Sequence, residues 1–136
     1  MSWLVDTNIL SELRKGARAN PGVRTWFATT REEDLYTSVL VLGEIRRGIE
    51  SIRRRDVTAA TALEQWLDRI TATFSDRVLP VDAKVADRWG FMYVPDPLPT
   101  VDGLLASTAL VHDLVLVTRN VGDVARSGAR VLDPTD

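Results

Sequence analysis

The sequence predicts an α/β fold: a parallel sheet of five short strands with helices on both faces. Two observations predict it. Apolar strand-like segments alternate with helical patterns in the order βααβααβαβ(α)β, which implies parallel strands joined by helical crossovers. The segment Val115-Leu116-Val117 contains no polar residue, as a central parallel strand covered on both faces requires. Five such strands suit a doubly wound sheet, whose ligand site lies beyond the carboxyl ends of the strands where their order reverses.

Each element has a local reason. Trp3–Val5 is a short apolar strand that stops at Asp6. A short helix spans Asn8 to about Arg14 and stops near Gly16. Asn20-Pro21 reads as an N-cap followed by Pro at the first helical position. The helix it opens runs to about Thr29 and is expected to bury Val23, Trp26 and Phe27. Leu35–Thr37 is the second strand, and Ser38 caps a helix from Val39 to about Ile52. From Asp56 a longer helix keeps Val57, Ala60, Leu63, Trp66, Leu67, Ile70 and Phe74 on the helical period. Val78–Val81 is the third strand, and Asp82 caps a helix holding Val85, Ala86, Trp89 and Met92. VPDPLP ends it. Thr100 is expected to cap a helix reaching about Asp113. Val115–Val117 and Arg130–Leu132 complete the sheet.

Composition narrows the chemistry. The chain has no cysteine, which excludes disulfide scaffolds, thiol nucleophiles and cysteine-based zinc sites. The lone His112, at a helix C-terminus, reads as a dipole-favoured surface or partly buried residue, not a base. No apolar run approaches a membrane span and the N-terminus lacks a signal-peptide pattern, so a cytoplasmic protein of one domain over residues 1–136 is expected. The formal net charge of −2 by itself argues against a nucleic-acid partner, but 15 of the 17 basic residues are Arg, whose guanidinium grips phosphate bidentately.

The remaining chemistry lies in carboxylates. Asp6 directly follows the first strand, and Asp123 lies just after the fourth. Those two meet if the first and fourth strands are neighbours. Asp102, in the first turn of the helix before the fourth strand, and Glu44, on the helix after the second, can reach the same sheet end. Asp6, Asp102 and Asp123 each have a plain alternative as turn, cap or dipole-favoured residues. Glu44 sits inside the apolar run VLVLGEI, where an unpaired carboxylate is costly and calls for a cation. Converging carboxylates with no Cys and one His suit an oxygen-ligated Mg²⁺ or Mn²⁺. A haloacid-dehalogenase-like phosphatase would need Asp where Asn8 stands. A receiver-like regulator would need paired acids after the first strand and a Lys where Arg119 stands.

Four segments, VDTNIL at 5–10, LGEIRRGIE at 42–50, PTVDGLLASTAL at 99–110 and LVTRNVGDV at 116–124, together resemble the PIN-domain ribonucleases. Within that family they resemble the VapC-type toxins of toxin–antitoxin pairs, including the FitB-like branch. The resemblance spans nearly the whole chain in the right order. It implies a three-layer α/β/α sandwich whose five-stranded parallel sheet has the order 3-2-1-4-5. It implies that Asp6, Glu44, Asp102 and Asp123 form an acidic metal pocket for Mg²⁺ or Mn²⁺. It assigns Thr118, Asn120 and Ser38 to supporting polar positions. It further implies RNA cleavage, homodimers, and silencing by a cognate VapB-like antitoxin in a hetero-oligomer. One departure is Val124, where the family pattern usually has Phe, and it leaves both direct and water-mediated roles open for Asp123.

RNA or antitoxin contacts are expected from Arg14, Arg46, Arg47 and Arg53, three of them within RRGIESIRRR, which carries five Arg and one Glu. A solvated helix end is the plainer reading of that stretch. Trp26, Trp66 and Trp89 read as core or dimer contacts. With four of the 19 acids in the pocket, 15 remain against 17 bases, so the surround is mildly basic. The alternative function is a catalytically weak PIN module acting mainly as an antitoxin-bound DNA-regulatory complex.

Overall fold

A computed structural model describes residues 1–136. Five parallel strands, β1 (Trp3–Val5), β2 (Leu35–Ser38), β3 (Val78–Leu79), β4 (Val115–Val117) and β5 (Val131–Leu132), lie in the order 3-2-1-4-5. The first and fourth strands are neighbours, with Trp3, Leu4 and Val5 opposite Val115, Leu116 and Val117. Helices α1 (Thr7–Leu13), α2 (Pro21–Ala28), α3 (Val39–Arg53), α4 (Val57–Phe74), α5 (Ala83–Met92), α6 (Thr100–Val111) and α7 (Val121–Val124) connect the strands and cover both faces. No helix is long and apolar enough to cross a membrane.

The core explains the apolar central strands. Leu4, Val5, Leu116 and Val117 are buried between the helical layers with Ile9, Val41, Ile49 and Leu105. Side chains alternate across a strand, so segments with no polar position are stable only where both faces are covered.

Capping agrees with the sequence at Asn20, Ser38 and Asp82, and Asp56 caps α4 in the same way. Asn20 Oδ1 accepts from the N–H groups of Gly22 and Val23, Ser38 Oγ from Leu40, Asp56 Oδ1 from Ala59 and Asp82 Oδ1 from Val85. At α6 the expectation fails. Thr100 is the first helical residue, and Pro99 occupies the cap position without a side-chain bond.

Two strands are shorter than expected, β3 ending at Leu79 and β5 starting at Val131. Both are edge strands with only one neighbour, so the pairing that defines a strand ends sooner. Phe27 and Val57, placed on buried faces by periodicity, are 44% and 63% exposed. Phe27 lines an open groove of about 510 Å³ beside α4, and Val57 is the first residue of its helix, beyond the packed turns.

Candidate active site

The site forms where β1 and β4 end side by side. The Asp6 N–H extends the ladder by donating to the Val117 carbonyl at 3.0 Å. The chain then turns into α1, and the Asp6 side chain caps that helix by accepting from the Thr7 N–H at 2.6 Å. On the other oxygen it accepts from the Thr118 hydroxyl at 2.7 Å. Strand end, helix cap and neighbouring strand thus hold one carboxylate that is only 4% exposed.

The other acids surround it. Thr7 Oγ1 donates to Glu44 Oε1 at 2.7 Å, so Thr7 links the Asp6 and Glu44 carboxylates through its backbone and its side chain. Glu44 is half-buried, not enclosed as its apolar neighbours suggested, because it lines an open groove between α1 and α3. Asp102 stands in the first turn of α6 and accepts from Asn120 Nδ2 at 3.3 Å. Asp123, exposed on α7, lies within electrostatic range of Asp102.

Two of these acids, Asp6 and Asp102, are perturbed by their surroundings. Burial raises the Asp6 carboxyl above its ordinary range, against the lowering by its Thr118 and Thr7 donors, and the charges of Glu44 and Asp102 raise it further. Burial also raises Asp102, and the charges of Asp123 and Glu44 add to that. No Lys, Arg or His forms an ion pair with any of the four. No three acidic side chains are gathered at ligating distance around one point.

The polar supports divide. Thr118 and Asn120 sit among the acids, and the Asn120 N–H also donates to Thr118 Oγ1 at 3.0 Å. Ser38 is buried and spends its side chain on the cap of α3, bonding to no acid.

The arginines also divide. Arg46 bonds Glu50 and Glu64, and Arg53 bonds the same two, tying α3 to α4. They are therefore committed within the molecule, because the α3–α4 hairpin brings Glu64 beside them, a proximity the linear sequence hides. Arg47 is exposed and forms no ion pair. Arg14 lies over the Trp66 ring, 5.8 Å from its centroid. A groove of about 280 Å³ leads from Thr7 and Glu44 between α1 and α3 to Arg14 and Trp66. Trp66 is partly buried against the core while its remaining surface lines this groove.

Thr7, Asn8, Glu12 and Arg119 carry contacts at or beside the site that the sequence did not assign to it. Thr7 and Asn8 directly follow Asp6, and that adjacency is the sequence signal for them. No local pattern marks the Glu12–Arg119 pair, whose members stand 107 positions apart.

Comparison with known proteins identifies the family of this fold. The PIN domain family model matches residues 3–124. Toxin FitB of Neisseria gonorrhoeae is 29% identical over 140 aligned positions, covering 96% of each chain. The VapC ribonuclease Y4jK of Sinorhizobium fredii is 26% identical with the same coverage. The crystal structure of FitAcB from Neisseria gonorrhoeae superposes with a TM-score of 0.88 at 28% identity, over 97% of both chains. With the strand order 3-2-1-4-5 and a family model spanning most of its length, this chain belongs to the PIN domain family.

Proposed function

We propose that this protein is the toxin of a toxin–antitoxin pair, a Mg²⁺- or Mn²⁺-dependent endoribonuclease that hydrolyses RNA phosphodiester bonds in the cytoplasm. One observation carries the reading. Asp6, Glu44, Asp102 and Asp123 share one end of the sheet with no cationic side chain paired to any of them. Such a cluster is self-repelling, and a divalent cation relieves it. The donors are all oxygen, as Mg²⁺ and Mn²⁺ prefer. Mg²⁺ keeps several waters and is commonly held by one or two carboxylates, so a wide acidic pocket suits it without a closed cage. The relatives named toxin and ribonuclease support the same reading.

Asp6 and Asp102 are the residues to hold the ion, with Glu44 and Asp123 completing the negative field. A bound divalent ion supplies an acidified water and compensates charge on the phosphoryl group. The chain's own residues do the positioning. Thr7 and Thr118 fix both oxygens of Asp6, the Thr7 hydroxyl orients Glu44, and Asn120 orients Asp102. Arg14 and Arg47 supply cations for phosphate, and the groove from Glu44 to Trp66 leads away from the acids. A VapB-like antitoxin is the inhibitory partner, in a hetero-oligomer built on a toxin homodimer.

The test is cleavage of structured RNA by purified protein with Mg²⁺ or Mn²⁺, with EDTA, and by Asp6→Asn and Glu44→Gln. Cleavage is expected with metal alone and lost in the other three cases. Cleavage that survives chelation and both substitutions would refute the reading.

A further inference from the structure

Glu12 is a carboxylate buried to 6% exposure outside the acidic pocket, and the site chemistry does not use it. Its Oε1 accepts from Lys15 Nζ at 3.0 Å and from Arg119 at 2.9 Å, and its Oε2 accepts from the Asn20 N–H at 2.8 Å. Lys15 and Asn20 are local partners. Arg119 comes from 107 residues away and stands between Thr118 and Asn120, the two polar supports of the site.

Residue 119 is held twice by the same helix. Its guanidinium bonds Glu12, and its N–H donates to Asn8 Oδ1 at 3.3 Å. Asn8 and Glu12 are four residues apart and therefore share one face of α1. Asn8 Nδ2 in turn donates to Thr118 Oγ1 at 3.3 Å. From there one bond reaches Asp6 and another the Asn120 N–H, and the Asn120 side chain reaches Asp102. The path from Glu12 to both carboxylates is an unbroken chain of contacts.

A buried ion pair is a weak way to gain stability, since well-packed apolar residues of similar volume often do as well. Its value here is directional. A bonded guanidinium fixes where the backbone of the post-β4 loop lies, which apolar contact does not.

We propose that Glu12 and Arg119 form a clamp that positions the Thr118–Asn120 loop, and through it the Asp6 and Asp102 carboxylates. They are positioning residues, and their effect on catalysis rests on the nuclease reading above. The clamp itself does not.

The test uses the full chain with Glu12→Gln, Arg119→Met and Arg119→Lys. Amide hydrogen exchange across 118–124 is read without metal, and Mn²⁺ affinity by direct titration. Arg119→Met removes a side chain that is 40% exposed, so the fold is expected to persist even where Glu12→Gln is less stable. Exchange at 118–124 should rise at least tenfold in Arg119→Met while the β1 and β2 amides stay protected. Mn²⁺ affinity should fall about 10-fold or more, as for other residues that orient metal ligands, and Arg119→Lys should recover part of both. Unchanged exchange at 118–124 in Arg119→Met would overturn the clamp. So would a rise spread evenly over the core. If wild-type protein binds no Mn²⁺ while exchange responds as expected, the nuclease reading fails and the clamp stands.

Discussion

The Thr118 hydroxyl donates a 2.7 Å hydrogen bond to Asp6 across 112 positions of sequence. It joins the ends of two adjacent parallel strands, and it satisfies an oxygen of the most buried acid in the site. Thr118 Oγ1 also accepts from Asn8 and Asn120, so one hydroxyl organises three neighbours. Thr118→Val, nearly isosteric, leaves a buried carboxylate with one donor fewer. A loss of about 1–3 kcal/mol is expected in urea unfolding of the metal-free protein at neutral pH, with Thr118→Ser much closer to wild type.

Asp6 and Asp102 both titrate above the ordinary carboxyl range, chiefly through burial. An acid whose folded value exceeds its unfolded one favours folding below the unfolded value and loses that advantage as pH rises through the folded value. These two groups should therefore make metal-free protein less stable as pH climbs from about 4 through their raised values. Asp102→Asn removes one of the two ionisations while keeping an acceptor for Asn120. Its melting temperature is expected to exceed that of wild type at pH 7 without metal, and its pH slope to be shallower.

Divalent metal should reverse that penalty. At 100 times the dissociation constant, an ion binding only the folded state adds about 2.7 kcal/mol. Calorimetry with Mg²⁺ or Mn²⁺ is expected to raise the melting temperature of wild-type protein. Asp6→Asn and Asp102→Asn should show little response, and Ca²⁺-free EDTA should leave all three at their metal-free values.

The arginines should separate by their ion pairing. Arg14 and Arg47 have no carboxylate partner, whereas Arg53 is bonded to Glu50 and Glu64. Against single-stranded RNA, Arg14→Ala and Arg47→Ala are each expected to lower the salt slope of binding by about 0.7. Arg53→Ala should leave the slope nearly unchanged.

Leu4 is fully buried at the centre of β1, between β2 and β4. Leu4→Ala should cost about 2–5 kcal/mol in equilibrium unfolding, the range for a buried leucine whose cavity cannot collapse. Because Leu4 precedes Val5 and Asp6, metal affinity should fall with it if the strand end shifts.

The amino-acid pattern by itself determined the strand and helix order, the all-apolar central strand and the helix caps at Asn20, Ser38 and Asp82. Those features are local or depend on period, so neighbouring residues suffice to specify them. Phe27 and Val57 show the limit, since periodicity marks which face is apolar but not whether a partner covers it. Only the tertiary structure decided that Arg46 and Arg53 are bound to Glu64 and that Glu12 reaches Arg119. The physical reason is distance along the chain. A side chain's charge environment depends on elements folded against it, and here those partners stand 11 to 107 positions away.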